Sequence, residues 1–190
     1  MSALIDVLGA LVIGAMLMLM MITFQYQLRD TADTVIYMSG MIDHMEIASA
    51  RLNDIIALAG IGFLPATTVT VADTNRLEFN TMWNYQTKMI DSSPHVIKIR
   101  LANTQTSLGR ALSVYQDNDL IEGMAAIFWV DALKFVYFTK QDNLTTTASL
   151  VRSAELWLTF RHNAPKADSD PLHTKLQMRC YFMNAYLAGG

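Results

Sequence analysis

Residues 7–28 read VLGALVIGAMLMLMMITFQYQL: 22 positions without one Asp, Glu, Lys, Arg or His. As a helix this stretch extends about 33 Å, enough to cross a bilayer core of about 30 Å. Four methionines, Met16, Met18, Met20 and Met21, crowd into it. They point around the helix rather than along one stripe, which suits flexible apolar contact on several sides. The only nearby charge upstream is Asp6. No Lys or Arg precedes the run and no A-x-A site follows it, so a cleaved secretory signal is the weaker reading.

The helical period continues past the apolar run. Leu28, Ala32, Val35, Met38, Ile42, Met45, Ala48, Leu52, Ile55 and Ala59 recur at spacings of three and four. That is the apolar stripe of an amphipathic helix. Arg29, Asp30, Asp33, Asp43, Glu46, Arg51 and Asp54 occupy the other face. Gly60 and Gly62, then Pro65, signal its end. One helix from about Ala3 to Ala59 would be roughly 85 Å long.

Beyond Pro65 the period changes to two, the signature of strands. Strands are expected over Thr67–Ala72, Arg76–Thr81, His95–Ala102, Arg110–Gln116, Leu133–Thr139, Arg152–Arg161 and Thr174–Leu187. Turns fall at Asp73-Thr74-Asn75 and Asp117-Asn118-Asp119, and loops at 140–149 and 163–173. In Arg152–Arg161 the alternation sets Ala154, Leu156, Leu158 and Phe160 on one face; in the last strand it sets Leu176, Met178, Cys180 and Phe182 together. A sheet with one apolar face and a helix with one apolar stripe bury each other, which gives an α+β domain. The expected organisation is an apolar helix half over 1–28, an amphipathic half over 29–62 and an antiparallel β head over 63–190. The first half is then left protruding and apolar all round, and must sit in lipid or among copies of itself.

Composition agrees with that division. The chain has 190 residues, 52% hydrophobic and 16% charged, with a formal net charge of −3. Disorder needs the opposite balance, and a general grip on nucleic acid needs a basic excess. A single cysteine, Cys180, excludes an internal disulfide framework. His44 and Glu46 do not share a helix face, and His95, His162 and His173 lack ligand spacing. Gly60-Ile61-Gly62 follows no strand and has no third glycine, Ser107-Leu108-Gly109 is a turn, and Asp117, Asn118, Asp119 and Glu122 are too few for an EF-hand loop. No metal, cofactor or catalytic constellation is expected, which points away from an enzyme. Asn143-Leu144-Thr145 has the form of a glycosylation sequon on a loop.

The segment Ala3-Leu4-Ile5-Asp6-Val7-Leu8-Gly9-Ala10-Leu11-Val12-Ile13-Gly14 resembles the start of a mature type IV pilin or type II secretion pseudopilin. Leu58-Ala59-Gly60-Ile61-Gly62-Phe63 is similar to the helix end of several minor pilins, and Val69–Ala72 followed by Arg76-Leu77-Glu78-Phe79 to their first strands. The resemblance covers the whole chain in outline and is motif-like only over the first 14 or so residues. Asp6 stands where that family normally has Glu, a methylene shorter. The resemblance implies a pilin-like fold whose helix packs its C-terminal half on the sheet. It implies that Ser2 becomes the N-terminus, with Asp6 fifth, and that Asp6 meets the N-terminal amine of a neighbouring subunit. Leu4, Ile5, Leu8, Leu11, Val12, Met16, Leu19, Met20 and Phe24 would pack the filament core. The implied function is a structural subunit of an extracellular filament serving adhesion, motility or surface attachment. It would wait in the cytoplasmic membrane, meet the pilus assembly machinery and polymerise as a helical homo-oligomer. A minor pilin or pseudopilin, and a membrane-anchored binding domain that never polymerises, are the alternatives.

Overall fold

The computed structural model describes residues 2–106, 109–121, 129–162 and 172–188. Helix α1 runs unbroken over Ser2–Ala57, so Gly9, Gly14 and Gly40 do not interrupt it. After a turn come a one-turn helix α2 (Pro65–Thr68) and strands β1 (Val69–Asp73), β2 (Arg76–Asn84), β3 (Met89–Thr106), β4 (Gly109–Gln116), β5 (Asp119–Leu120), β6 (Trp129–Phe138), β7 (Ser153–His162) and β8 (Leu172–Tyr181). A short helix α3 covers Met183–Ala188. The fold is α+β: a long N-terminal helix and an eight-stranded sheet ordered β1-β2-β3-β4-β6-β7-β8, with β5 paired to β4 and every pairing antiparallel.

Two compact units divide at Ile42/Asp43. In the first, every described side chain from Ala3 to Asp33 is exposed. The amphipathic stripe does not become a buried stripe at Leu28, as the period suggested. Leu28, Val35, Met38 and Ile42 are exposed, and Met41 is the first buried side chain along the helix.

In the second unit, Ala48, Leu52, Ile55, Ile56 and Ala59 join Leu77, Phe79, Ile97, Ile99, Leu112, Val114, Phe135, Leu156, Leu158 and Phe182 in one core. The alternation expected for Arg152–Arg161 holds, with Ala154, Leu156, Leu158 and Phe160 buried. The Phe79 and Phe182 rings meet with centroids 6.3 Å apart and tilted by 57°, a favourable aromatic arrangement.

The end of α1 is closed by donors from β2, from the residue that follows it and from α3. A helix leaves its last carbonyls without intrahelical partners. Here the Tyr85 hydroxyl donates to Ile55 O at 2.7 Å, the Thr81 hydroxyl to Leu58 O at 2.7 Å and the Asn184 amide to Ala59 O at 2.9 Å. Gly60, at φ +76°, turns the chain so that its N–H reaches Asn80 O at 2.8 Å; a Cβ there would lie 2.6 Å from Thr68 Oγ1. Thr81 is fully buried and also accepts from Trp83 N at 3.0 Å, beside the β2 bulge. Thr81→Val keeps the shape and orphans both groups, so it should cost the head about 1–3 kcal/mol in urea unfolding.

Three expectations need correction. The last strand does not run to Leu187: β8 ends at Tyr181 and α3 follows, because Phe182 N turns to donate to Arg152 O at 3.1 Å. The loop expected over 163–173 gives up Leu172 and His173 to β8, while 163–171 fall outside the described residues. Thr67 belongs to α2 rather than to β1. Two strands are also longer than the alternation suggested. β3 starts at Met89, after an Asn84 side chain that accepts from Gln86 and Thr87 N–H groups has set the β2–β3 turn. β6 starts at Trp129, where Gly109, at φ +113°, lets β4 approach; a Cβ on Gly109 would lie 2.8 Å from Val130 O.

Candidate functional site

The most unusual surface is the first unit itself. Leu4, Ile5, Leu8, Leu11, Val12, Met16, Leu19, Met20 and Phe24 are all exposed, from 55% at Leu8 to 70% at Leu4 and Met20. Nothing lies within 4 Å of a Cβ built on Gly9 or Gly14. α1 is long and apolar enough to cross a membrane, and none of its most apolar stretch is buried. Fully burying one large aliphatic side chain is worth about 1.5–3 kcal/mol, so nine such residues left in water would be a heavy cost for one chain. Asp6 shares this helix and is exposed, the single acid ahead of the charge-free run. Ser2 opens α1, and its side chain lies outside the described residues.

Regular backbone hydrogen bonding makes the surface possible. Every peptide group along the apolar stretch is satisfied within the helix, which is what an apolar surrounding demands. Thr23 follows suit, donating to Leu19 O at 2.8 Å, so its hydroxyl is not an orphan either. Thr31 and Thr34 do the same onto Gln27 O and Asp30 O.

The head holds an ionisable cluster around His95 that sequence spacing missed. Asp117 and Asn118 have positive φ (55° and 92°) and form the two-residue β4–β5 hairpin turn, a geometry that favours Asn and Asp. That turn carries Asp117 to His95 on β3: Nδ1 lies 2.5 Å from Asp117 Oδ2, and Nε2 lies 3.3 Å from Asp91 Oδ2. Asp117 also accepts from Val96 N at 2.7 Å. Burial disfavours the His95 imidazolium, but the hydrogen bonds and charges of Asp117 and then Asp91 outweigh it and raise the pKa above its ordinary value. Asp91 is held below the usual carboxylate range, chiefly by the Ser92 N–H. A pKa raised on folding gives stability that is complete below the unfolded value of about 6.5 and is lost as pH rises through the folded one. His95→Gln should therefore narrow its melting-temperature gap to the parent as pH rises above about 6.5 and through the raised folded value. A gap constant across that range would contradict the pairing.

Both ring partners of this histidine among the described residues are carboxylates rather than a nucleophile. Half-buried Tyr85 and buried Tyr137 are anchors whose pKa values rise through burial first, then through Asp54 and Asp73. Tyr137 OH lies 2.8 Å from Asp73 O and 3.0 Å from Arg76 O, fastening the β1–β2 turn to β6. Burial pushes the Cys180 thiol up to about 11, so it stays protonated at neutral pH. His44 lies on α1 and His173 pairs with Asp131 at 3.4 Å, far from His95 in sequence and pairing. The His162 side chain, Ser107-Leu108 and Glu122 lie outside the described residues. Among the described residues no group of three or more His, Cys, Asp or Glu side chains is placed to hold a metal ion. Asn143 is exposed after β6 and accepts a backbone hydrogen bond from Thr139 at 2.9 Å, so the sequon sits on the surface.

No protein-family model matches the chain, and no curated protein or solved structure matches it significantly. A long apolar N-terminal helix joined to an antiparallel sheet is compatible with a pilin-like fold.

Proposed function

We propose that the chain is a structural subunit of a type IV pilus-like extracellular filament that polymerises through α1. The observation that carries this reading is the uninterrupted helix whose side chains from Ala3 to Asp33 are all exposed. An apolar surface of that extent lowers its free energy in lipid or against identical helices. Both surroundings are apolar, so transfer from membrane to filament exposes little of it to water. The flexible thioethers of Met16, Met18, Met20 and Met21 adapt to either.

In this reading the subunit waits in the cytoplasmic membrane, with residues 3–28 spanning it, and is added to a growing helical polymer by an assembly machinery. The N-terminal helices then form the filament core and the heads its outer surface. With Ser2 as the mature N-terminus, its amine meets Asp6 of a neighbour, and the pair sets axial register. The test is electron microscopy of material sheared from cells, with mass spectrometry of the subunit. Filaments built of this chain support the reading; a chain found only as a monomer in the membrane fraction overturns it in favour of an anchored binding domain.

A further inference from the structure

Three arginines converge on one cleft at the end of the β2–β3–β4 sheet. Arg76, Arg100 and Arg110, with Asn75, Asn103 and Asp73, line a cleft of ≈ 390 Å³. Arg76 and Arg100 stand directly opposite each other in the β2–β3 register. Like charges at such positions repel and destabilise a sheet. The inward positions beside them, Leu77 and Ile99, are fully buried, so strand alternation fixes both guanidiniums on the outer face. The β3–β4 register shifts between Leu101 and Gln105, and Arg110 sits at that irregularity, its Nε donating to Gln105 Oε1 at 3.2 Å. Bulges of this kind often re-aim side chains at sites.

The charges on hand do not neutralise the three. Asp73 pairs with Arg76 at 3.3 Å. Glu78 lies 3.8 Å from Arg76 Nε, beyond hydrogen-bond range. That Nε is shut off from solvent and makes no hydrogen bond among the described residues. Arg100 stacks 4.9 Å above the Tyr115 ring, which holds its guanidinium plane without supplying a counter-charge. Among the described residues two acids face three cations, and of these two Asp73 alone lines the cleft.

We propose that this cleft binds a phosphate-type oxyanion, held by the guanidiniums of Arg76, Arg100 and Arg110. Planar guanidiniums match tetrahedral oxyanions two bonds at a time. The anion removes the Arg76–Arg100 repulsion, and Asn75 and Asn103 amides are at hand for its remaining oxygens. The chemistry is shared by a free phosphate or diphosphate and by a lipid headgroup. The site lies wholly on the head and does not depend on the filament reading.

The test uses the full chain in micelles of an uncharged detergent, with thermal melting and calorimetric titration as readouts. One arm adds inorganic phosphate or pyrophosphate against chloride at equal ionic strength. The other dopes the micelles with phosphatidylglycerol or, as a control, phosphatidylcholine. The expected result is a saturable rise of several degrees in melting temperature at about 100 times the dissociation constant, in at least one phosphate arm. A shift with the soluble anions assigns the site to free phosphates; one confined to phosphatidylglycerol assigns it to headgroups. Arg100→Gln and Arg110→Gln should each weaken binding at least about tenfold, while Lys175→Gln on β8 leaves it unchanged. Phosphate and chloride curves that coincide in every arm, or arginine variants that bind as the parent does, overturn the proposal.

Discussion

Asp6→Ala should abolish incorporation of the subunit into filaments and leave the head folded. A carboxylate in an apolar bundle is costly unless it is paired. In the proposed polymer its partner is the neighbour's terminal amine. Removing one member of a buried ion pair strands the other charge, at about 3–5 kcal/mol. By the usual conversion of about 1.4 kcal/mol per decade, subunit association falls by more than about a hundredfold. The measurement is the ratio of subunit in sheared filaments to subunit in the membrane. Asp6 belongs to a different compact unit from the head core, so urea unfolding of the head should be unchanged. Asp6→Glu lengthens the reach by one methylene and keeps the charge, and should restore much of the yield. Normal filament yield from Asp6→Ala would remove Asp6 from the assembly step.

Phe79→Ala should be the most damaging substitution in the head, and the contrast with Phe24→Ala gives it meaning. Phe79 is fully buried against Phe182, Leu77 and the helix residues of the core. Truncating a buried Phe costs about 3–5 kcal/mol through lost transfer energy and the cavity left behind. Against a typical total of about 5–15 kcal/mol, that leaves a marginal domain. Tryptophan fluorescence during urea unfolding reads it directly, since Trp83 and Trp157 lie on β2 and β7. Phe24 is 59% exposed, so Phe24→Ala should leave that unfolding curve in place and act on membrane or filament partitioning instead. Equal losses from the two variants would contradict the division of the chain into independent units.

How much of this was legible in the sequence depends on the length scale of the signal. The charge-free run and the three-four spacing extend over many turns, so α1 and its end near Gly60 could be read directly. The start of burial could not. Leu28 to Ile42 keep helical apolar spacing whether they are buried or not, and Val35 is 59% exposed. Period-two patterns located most strands, but α3 was hidden because Phe182 continues the alternation of Cys180, and six helical residues are too few to show a 3.6-residue period. The His95–Asp117 contact joins residues 22 apart, and the Arg76–Arg100 contact depends on hairpin register. Neither leaves a local pattern.

The Asn184 bond to Ala59 O spans 125 positions, and Phe182 beside it completes the core. Both groups leave the ribosome long after the helix end they serve. Chain emerges at about 5–20 residues per second, so α1 is finished and its carboxyl end waits several seconds for its final cap. Contacts this distant in sequence make closure slow. Until Phe182 and Asn184 arrive, the nascent head holds an incomplete core beside an unfinished helix terminus. A stop codon anywhere before Phe182 therefore yields a product that keeps its long apolar helix without a finished head, with core side chains of the sheet left facing water.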